Sequence, residues 1–302
     1  MAHPRRGGRA QRTVHKSPRR SGEEGVLYGL NPVEAALVAR RRRLGGLCLK
    51  SGTLSPRLSR LKALASEAGL SLSIHPHEDL EQLAGSPQHQ GAVLRCGPLP
   101  LLDDKAAWEA SKDWLPGGGK PPPLLVALDQ VSDPRNLGAV VRSCAAFGAR
   151  GLVLPRDHSA PLSAAASSAS AGALERFPVH ETANLARFLD AAKDRGFWVA
   201  GAVAQGGTLL PGANFNQPLV LVLGSEDKGL RPLVERQCDH RLTIPLPGLS
   251  GIPGGDSGAE ALPLLDSLNV ASAASVLLYA LTQVFGKEGS PKPPSGKKGA
   301  QR

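Results

Sequence analysis

Apolar runs alternate with amphipathic stretches through the second half of the chain. The predicted strands are LLVALD, GLVLP, ERFPVH, FWVAGAVA, PLVLVLG and RLTIPL, with helices predicted from about Asn136, over 163–171, 184–196 and 230–237, and from Leu268. Uninterrupted apolar strands that alternate with helices belong in a parallel sheet covered on both faces. The pattern therefore predicts a doubly wound α/β domain over residues 124–288.

The first hundred residues show a shorter version of this alternation. NPVEAALVARR predicts a helix, because Asn31 is a good cap and Pro32 suits the first helical position. Strands are predicted at GGLCLK, LSLSIHP and GAVLRC, and a second helix at SPRLSRLKALASEAG, ending at Gly69. These elements predict a small α/β domain over residues 24–97. Proline and glycine clusters then predict a linker over residues 98–123.

The net charge of +10 is concentrated at the two ends of the chain. Residues 1–20 carry seven basic residues and no acidic one, and residues 287–302 carry five basic residues against one acidic residue. Segments of this composition cannot bury enough apolar surface to fold alone, so tails at 1–23 and 289–302 are predicted to be disordered. Such basic arms suit a polyanion such as RNA, although a purely solubilising role is the alternative.

Several classes of protein are excluded by what the sequence lacks. The four cysteines lie far apart without a CxxC pair, which argues for reduced thiols rather than a zinc ribbon or a disulfide framework. The histidines are scattered, and no metal site is predicted. The sequence has no apolar run long enough for a membrane span, no signal core, and no dinucleotide-binding, P-loop or nucleophile-elbow motif. We expect a soluble cytoplasmic protein.

The stretch that begins VALDQVSDPRNLGAVVRSC places polar residues where a strand meets a helix. The apolar stripe of that helix is predicted to consist of Leu137, Val140, Val141, Cys144 and Ala145. Arg142 lies off the stripe and can face the carboxyl edge of the sheet, where open α/β folds bind ligands. Asp133 before Pro134 favours a turn, and Asn136 can cap the helix. Turn chemistry explains each of these residues separately, whereas a site explains them together.

Two later stretches have the same design. In LVLVLGSEDKGL the strand breaks at Gly224, which allows close approach of the backbone to a ligand, and Glu226 follows the strand end. In DSLNVASAASVLLYAL, Ser267 and Asn269 precede a helix whose small residues permit close packing. Ordinary capping by Ser267 before a core helix is the alternative interpretation.

Taken together and in this order, the three stretches resemble the SpoU family of RNA ribose 2′-O-methyltransferases in the SPOUT superfamily. The resemblance covers residues 124–245 and 267–285, through LDQVSDPRNLGAVVRSCAAFGARGLVLP, LVLGSEDKGL and SLNVASAASVLLYA. YGLNPVEAAL and HQGAV near the front resemble the L30e-like RNA-binding domain of the 23S rRNA (guanosine-2′-O)-methyltransferase type. Three motifs in order, together with that domain, are specific to this family.

The resemblance implies a deep trefoil knot, S-adenosylmethionine (SAM) as methyl donor, and a homodimer whose active site takes residues from both subunits. It places Gly224, Ile244 and Leu268 at SAM-binding positions, and Asn136, Arg142, Glu226, Ser267 and Asn269 at catalytic positions.

The chemistry constrains the role of Arg142. A ribose hydroxyl is a poor nucleophile, so methyl transfer needs in-line placement and help with the departing proton. A guanidinium hardly ever deprotonates in a protein. We therefore expect Arg142 to stabilise developing alkoxide charge and hold the adjacent phosphate, with a phosphate oxygen or water accepting the proton. Glu226 and Asn136 are expected to orient Arg142 and the ribose.

One departure from the family is a long insertion between TIPLPG and SLN, residues 248–266. A surface insertion costs little closure entropy, so it can serve as a lid or an extra RNA contact; alternatively it marks a protein that has lost activity.

The leading prediction is methylation of a guanosine of 23S rRNA. A tRNA methyltransferase and a catalytically silent RNA-binding or ribosome-assembly protein are the alternatives. The intact polar positions favour an enzyme, and the few aromatic residues favour recognition of RNA shape and phosphates.

Overall fold

The structure, a computed structural model, describes residues 25–109, 111–115, 118–209, 215–246 and 267–285. The predicted tails at 1–23 and 289–302 and the insertion at 248–266 lie outside these residues.

The small domain folds around a four-stranded sheet. Its elements are β1 (Gly25–Tyr28), α1 (Leu30–Ala39), β2 (Leu44–Lys50), α2 (Pro56–Glu67), β3 (Leu72–His75), α3 (His77–Ala84) and β4 (Ala92–Cys96). The strand order is β1-β4-β2-β3, with β4 antiparallel to both neighbours and β3 parallel to β2. Helices α1 and α2 pack on the sheet through a cluster that includes Leu37, Leu49 and Leu61. A small α/β domain is therefore present, and its likeness to L30e stays a prediction.

Helix α1 begins before the residue that the sequence suggests as its cap. Gly29 is the N-cap, with φ 88°, and Asn31 lies within the first turn. The amide of Gly29 donates to the carbonyl oxygen of Ala92 in β4 (3.1 Å), which fixes the turn at this position. The side-chain oxygen of Asn31 instead accepts from Arg57 in α2. The predicted Asn31 cap is wrong.

The larger domain is a parallel sheet with helices on both faces. Its elements, with the helix that precedes the first strand, are α4 (Asp104–Glu109), β5 (Leu124–Leu128), α5 (Pro134–Ala146), β6 (Gly151–Pro155), α6 (Ala164–Ala169), β7 (Val179–Thr182), α7 (Leu185–Lys193), β8 (Trp198–Ala202), β9 (Thr208–Leu209), β10 (Leu219–Leu223), α8 (Pro232–Glu235), β11 (His240–Thr243) and α9 (Val270–Val284). The strand order is β7-β6-β5-β10-β8-β11-β9, and the paired neighbours are parallel. Helices α5 and α9 cover one face, and α7 and α8 cover the other. The predicted α/β domain with a parallel sheet is confirmed.

Helix α5 begins two residues before Asn136. Asp133 is its N-cap and accepts from the amide of Arg135 (2.7 Å), and Pro134 is the first helical residue. The predicted cap at Asn136 is therefore wrong, because Asp133 already performs that task and leaves the Asn136 side chain available. The predicted stripe is buried except for Ala145, which is exposed in the last turn of α5.

The stretch predicted as a linker, 98–123, contains residues that pack on the larger domain. Leu102 donates through its amide to the carbonyl oxygen of Val179 (2.9 Å), extending the sheet beyond the edge strand β7. Trp108 in α4 stacks on Phe188 of α7, with ring centroids 4.4 Å apart. The connection between the domains is thus anchored at two points.

None of the described helices has the length and apolarity that crossing a membrane requires. The trefoil knot stays a prediction, since the chain between Leu246 and Ser267 lies outside the described residues.

Candidate active site

Three polar segments meet at the carboxyl edge of the sheet. Strands β5 and β10 are parallel neighbours with Leu128 opposite Leu223, so the segments that follow them leave the sheet side by side. The first segment is the start of α5, and the second is the loop 224–229. The start of α9 supplies the third, because α9 packs on α5 with the hydroxyl oxygens of Ser143 and Ser275 only 2.7 Å apart. The three polar stretches noted in the sequence are therefore adjacent in space.

A hydrogen-bonded cluster of Asn136, Glu226 and Asn269 lies at the centre of this edge. Glu226 Oε1 accepts from Asn136 Nδ2 (2.8 Å), from Asn269 Nδ2 (2.6 Å) and from the amide of Val270 (3.2 Å). Asn269 Nδ2 also donates to Asn136 Oδ1 (3.0 Å). One carboxylate oxygen thus joins the loop after β10 to the first turns of both helices, and it lies at the positive end of the α9 dipole.

The cap of α9 is Asn269 rather than Ser267. Asn269 Oδ1 accepts from the amides of Ala271 (3.0 Å) and Ser272 (3.4 Å), as an N-cap side chain does. Ser267 is exposed and two residues further from the helix. The alternative in which Ser267 merely caps the helix is therefore wrong.

A cavity of about 400 Å³ opens beside the cluster. Gly224, Ile244 and Leu268, the three predicted cofactor positions, all line it, together with Glu226 and Ser267. A Cβ on Gly224 would lie 2.2 Å from the carbonyl carbon of Gly229, so the loop can close only around a glycine. Ser225 and Gly229 close the loop with two backbone hydrogen bonds (3.1 and 2.9 Å).

The lining of this cavity fits SAM. Apolar Leu242, Ile244 and Leu268 offer a surface for an adenine ring, whereas the carboxylates of Glu226 and Asp227 suit a sulfonium cation. Lys228 on the same loop suits a ligand carboxylate, and the volume lies in the usual range for small-molecule sites.

A shallow depression lies on the other side of the cluster. Asn136 and Asn269 line it, whereas Glu226 lines the cavity, so the cluster forms the wall between the two. Arg142 and Arg135 also line the depression, and both are exposed. Glu226 and Asn136 bond to Asn269 rather than to Arg142. In the single chain, the expectation that they orient Arg142 is therefore not met.

Comparison with known proteins decides the family. The model of the SpoU rRNA Methylase family matches residues 123–250, and the RNA 2′-O ribose methyltransferase substrate-binding model matches residues 26–102. A protein of Mycobacterium avium (strain 104), named an uncharacterized tRNA/rRNA methyltransferase, is 37% identical over 275 residues, which cover 91% of this chain and 82% of that one. The chain belongs to the SpoU rRNA methylase family. The family predicted from the sequence is confirmed, and the chain is an RNA methyltransferase of this type.

Solved structures agree with the fold of this SpoU methylase. A candidate RNA methyltransferase of the TrmH family from Porphyromonas gingivalis superimposes with a TM-score of 0.61 at 26% identity, covering 85% of this chain and 89% of that one. The SpoU methyltransferase AviRb of Streptomyces viridochromogenes, solved in complex with the cofactor AdoMet, gives a TM-score of 0.64 at 22% identity, covering 86% and 90% of the two chains.

Several residues that line the candidate site of this SpoU methylase were given no role from the sequence. Arg135 lies seven residues before Arg142, a spacing that returns to the same side of a helix after two turns. Ser272 and Ser275 face the same depression from α9, and Asp227 and Lys228 line the cavity. The helical spacing could have identified Arg135, whereas the contribution of α9 requires the packing of two distant segments.

Proposed function

We propose that this SpoU methylase transfers the methyl group of SAM to a ribose 2′-hydroxyl of RNA, with a guanosine of 23S rRNA as the leading target. The single observation that carries the proposal is the cluster of Asn136, Glu226 and Asn269, which separates a cavity suited to SAM from a depression lined by two arginines. Direct transfer requires that the two ligands meet, and the cluster marks the place where the cavity and the depression adjoin. Methylation of tRNA is the second candidate, because curated relatives carry the joint name tRNA/rRNA methyltransferase.

The cavity is proposed as the cofactor site. SAM, when bound, supplies an electrophilic methyl group on a sulfonium cation. Gly224, Ile244 and Leu268 would hold it through loop backbone and apolar contact, and Ser267 lies at the rim. AviRb, solved with AdoMet, supports this assignment. Glu226 lines the cavity, and its negative charge attracts the cationic sulfonium end of SAM.

The depression is proposed as the ribose and phosphate site. Arg135 and Arg142 present two exposed guanidinium groups, which bind phosphate oxygens in a bidentate manner. Arg142 stabilises negative charge that develops on the 2′-oxygen while that oxygen bonds to the methyl carbon. The hydroxyl proton passes to a phosphate oxygen or to water, because the guanidinium remains protonated.

The amide groups of the cluster keep the wall rigid. Asn269 both caps α9 and bonds to Asn136 and Glu226, so the wall cannot move without disturbing the start of the helix. This rigidity favours a fixed orientation of the ribose against the methyl donor, which is one contribution that a protein makes to a displacement of this kind.

A homodimer through α9 is part of the proposal. Ser272, Ser275, Val276 and Tyr279 follow helical spacing on one side of α9, and the first two line the depression. Val276 and Tyr279 are 42% and 57% exposed, so α9 presents two neighbouring apolar side chains next to the depression. A second copy packed on this stripe would place its residues at the edge of the depression.

The test is transfer of labelled methyl from SAM to total RNA that lacks its native modification, followed by mapping of ribose methylation. Arg142→Ala should abolish labelling, whereas Arg187→Ala, an exposed arginine on the opposite face of the sheet, should leave it unchanged. A single labelled guanosine of 23S rRNA supports the leading target, and label on tRNA replaces it with the second candidate. SAM and RNA binding without any label would overturn the enzymatic proposal.

A further inference from the structure

A buried ion pair joins the two domains. Arg42, between α1 and β2, and Glu175, between α6 and β7, form a two-pronged contact: Arg42 Nε lies 2.6 Å from Glu175 Oε2, and Arg42 Nη2 lies 3.0 Å from Oε1. The two side chains are only 5% and 1% exposed. Both ends have further partners, since Arg42 donates to the carbonyl oxygen of Gly97 (3.2 Å) and Glu175 accepts from the hydroxyl of Ser167 (2.9 Å). Each side-chain nitrogen of Arg42 and each carboxylate oxygen of Glu175 therefore has a hydrogen-bond partner inside the interface.

Such a pair is a poor source of stability, because removing two charges from water costs about as much as their attraction returns. What it adds is geometry: two parallel hydrogen bonds fix the distance and the angle of the planar groups. Apolar side chains at the same positions would hold the domains together without the directional constraint of these hydrogen bonds. The burial of this pair therefore indicates that the relative orientation of the domains matters.

The same interface contains a second close contact. Gly172, at φ 83°, packs beneath α1 so closely that a Cβ would lie 2.6 Å from the carbonyl oxygen of Asn31 and 3.0 Å from Ala35 Cβ. Arg41 also donates to the carbonyl oxygen of Phe177 (2.7 Å). Three residues within the short segment 172–177 of the larger domain thus make close contacts with the small domain.

The contact continues to the candidate active site. Helix α6 carries Ser167 on one side and packs on α5 on the other, where a Cβ on Gly138 would lie 2.3 Å from the carbonyl oxygen of Ala166. Ala169, at the end of α6, lines the same depression as Arg142. A rigid path therefore leads from the small domain through α6 to the helix that carries Arg142.

We propose that the buried Arg42–Glu175 pair is a specificity-determining lock: it fixes the substrate-binding domain against the methyltransferase domain and thereby sets which nucleotide of a folded RNA reaches Arg142. The proposal rests on the function proposed above. Arg42 and Glu175 are positioning residues, because neither lies at the cavity or the depression. The small domain binds one part of the RNA. Because the ion pair fixes the orientation of the two domains, it also fixes the distance from that binding site to the methyl donor.

The variants are Arg42→Met, Glu175→Gln, and the double Arg42→Met/Glu175→Met, which removes both charges. Arg60→Met is the matched control, because Arg60 lies in the same domain and pairs with Glu34 at the surface. Gly172→Ala opens the same interface without any change of charge. Each full-length variant is assayed with SAM on folded full-length rRNA and on a short RNA fragment that carries the target nucleotide.

Arg42→Met should raise KM for the full-length RNA by about tenfold or more and spread methylation to neighbouring nucleotides. SAM affinity and kcat on the short fragment should stay within about twofold of the unaltered chain. Small-angle scattering should show an expanded molecule for Arg42→Met and Gly172→Ala but not for Arg60→Met. The double variant should recover compactness without recovering full selectivity, since apolar groups hold the domains but do not fix their angle.

Equal losses on both RNAs together with a lower melting temperature would overturn the proposal and leave the pair a purely structural element. Unchanged selectivity in an expanded molecule would also overturn it. If the unaltered chain methylates no RNA, the proposed function fails, and scattering together with the nucleotides protected on bound rRNA then tests the lock by itself.

Discussion

Asn269 donates its side-chain amide to the side-chain oxygen of Asn136 at 3.0 Å, although 133 positions separate the two residues in the chain. Each belongs to the first turn or cap of a helix, α9 or α5, and each also bonds to Glu226. The contact therefore ties the two helices that cover one face of the sheet at their site ends. It explains why a change at the start of α9 should be felt both in stability and at the cofactor cavity.

Asn269→Ala should destabilise the chain by about 1 kcal/mol, because α9 loses its N-cap, and it should also abolish methyl transfer. Ser267→Ala is the matched control, since Ser267 lies near the same helix start and does not cap it. Its effect on stability should stay within about 0.5 kcal/mol. Urea unfolding measures the stability of both variants, and the methyl-transfer assay measures the activity of Asn269→Ala. Equal destabilisation by the two variants would contradict the assignment of the cap.

Glu226→Gln should weaken binding of SAM selectively. The glutamine oxygen can still accept from the cluster, but the negative charge beside the cavity is lost. We expect SAM affinity to fall by about tenfold, equivalent to about 1.4 kcal/mol. S-adenosylhomocysteine carries a neutral thioether instead of a sulfonium, so its affinity should hardly change.

Calorimetry with both ligands, on Glu226→Gln and on the remote surface variant Asp190→Asn, checks this prediction. A parallel loss for both ligands in Glu226→Gln would indicate a disturbed loop rather than a lost charge. An unchanged affinity for SAM would remove Glu226 from the cofactor site.

The elements that could be predicted are those with a clear local pattern of apolar and polar residues. The uninterrupted strands at 124–128 and 219–223 identified the parallel sheet, and glycine after the second strand marked the loop that closes on Gly229. Helix α3 was missed, because only two of its eight residues, Leu80 and Ala84, are buried and the apolar pattern is too short. The packing of Trp108 was not predicted, because prolines and glycines surround it in the sequence. A single side chain that packs on a neighbouring domain leaves no periodic apolar pattern.

The segments that form the candidate site could be predicted from the sequence, whereas the individual hydrogen bonds and helix caps could not. Asn136, Glu226 and Asn269, which the resemblance assigns to catalytic positions, come together. Both cap assignments failed, at Asn136 and Ser267, since a nearby Asp133 or Asn269 fits the helix start better. The Arg42–Glu175 pair has no signal in the sequence, because an arginine within a basic run and a glutamate in a loop are ordinarily solvated.

Cys238 should make stability depend on pH in alkaline solution. Burial raises the pKa of the Cys238 thiol from 9.0 to about 12, with Asp239 and Glu235 adding to the effect. A thiol whose pKa is raised by folding contributes stability that is complete below its unfolded value and is lost as the pH rises towards the folded value. The loss of stability with rising pH therefore begins near pH 9.

Urea unfolding of the native chain and of Cys238→Ser, between about pH 8 and pH 10, measures this effect. The native chain should lose stability relative to the serine variant as the pH rises, because serine does not titrate in this range. Cys96→Ser should show the same sign, since burial raises the pKa of Cys96 to about 11. A difference that does not change with pH would show that the thiols are accessible to water in the folded chain.

Tyr279→Asp should convert the proposed homodimer into a monomer and abolish methyl transfer while leaving SAM binding unchanged. Tyr279 is 57% exposed on the stripe of α9 that continues from the depression, and its ring centroid lies 6.1 Å from that of Phe147, the C-cap of α5. A buried carboxylate opposite its own copy would be repelled across a two-fold interface. Leu233→Asp is the matched control, because Leu233 is 66% exposed on α8, on the opposite face of the sheet. Sedimentation of the native chain and of both variants, together with SAM binding, tests this prediction. A monomeric native chain would rule out α9 as the dimer face, and so would equal dissociation of the two variants.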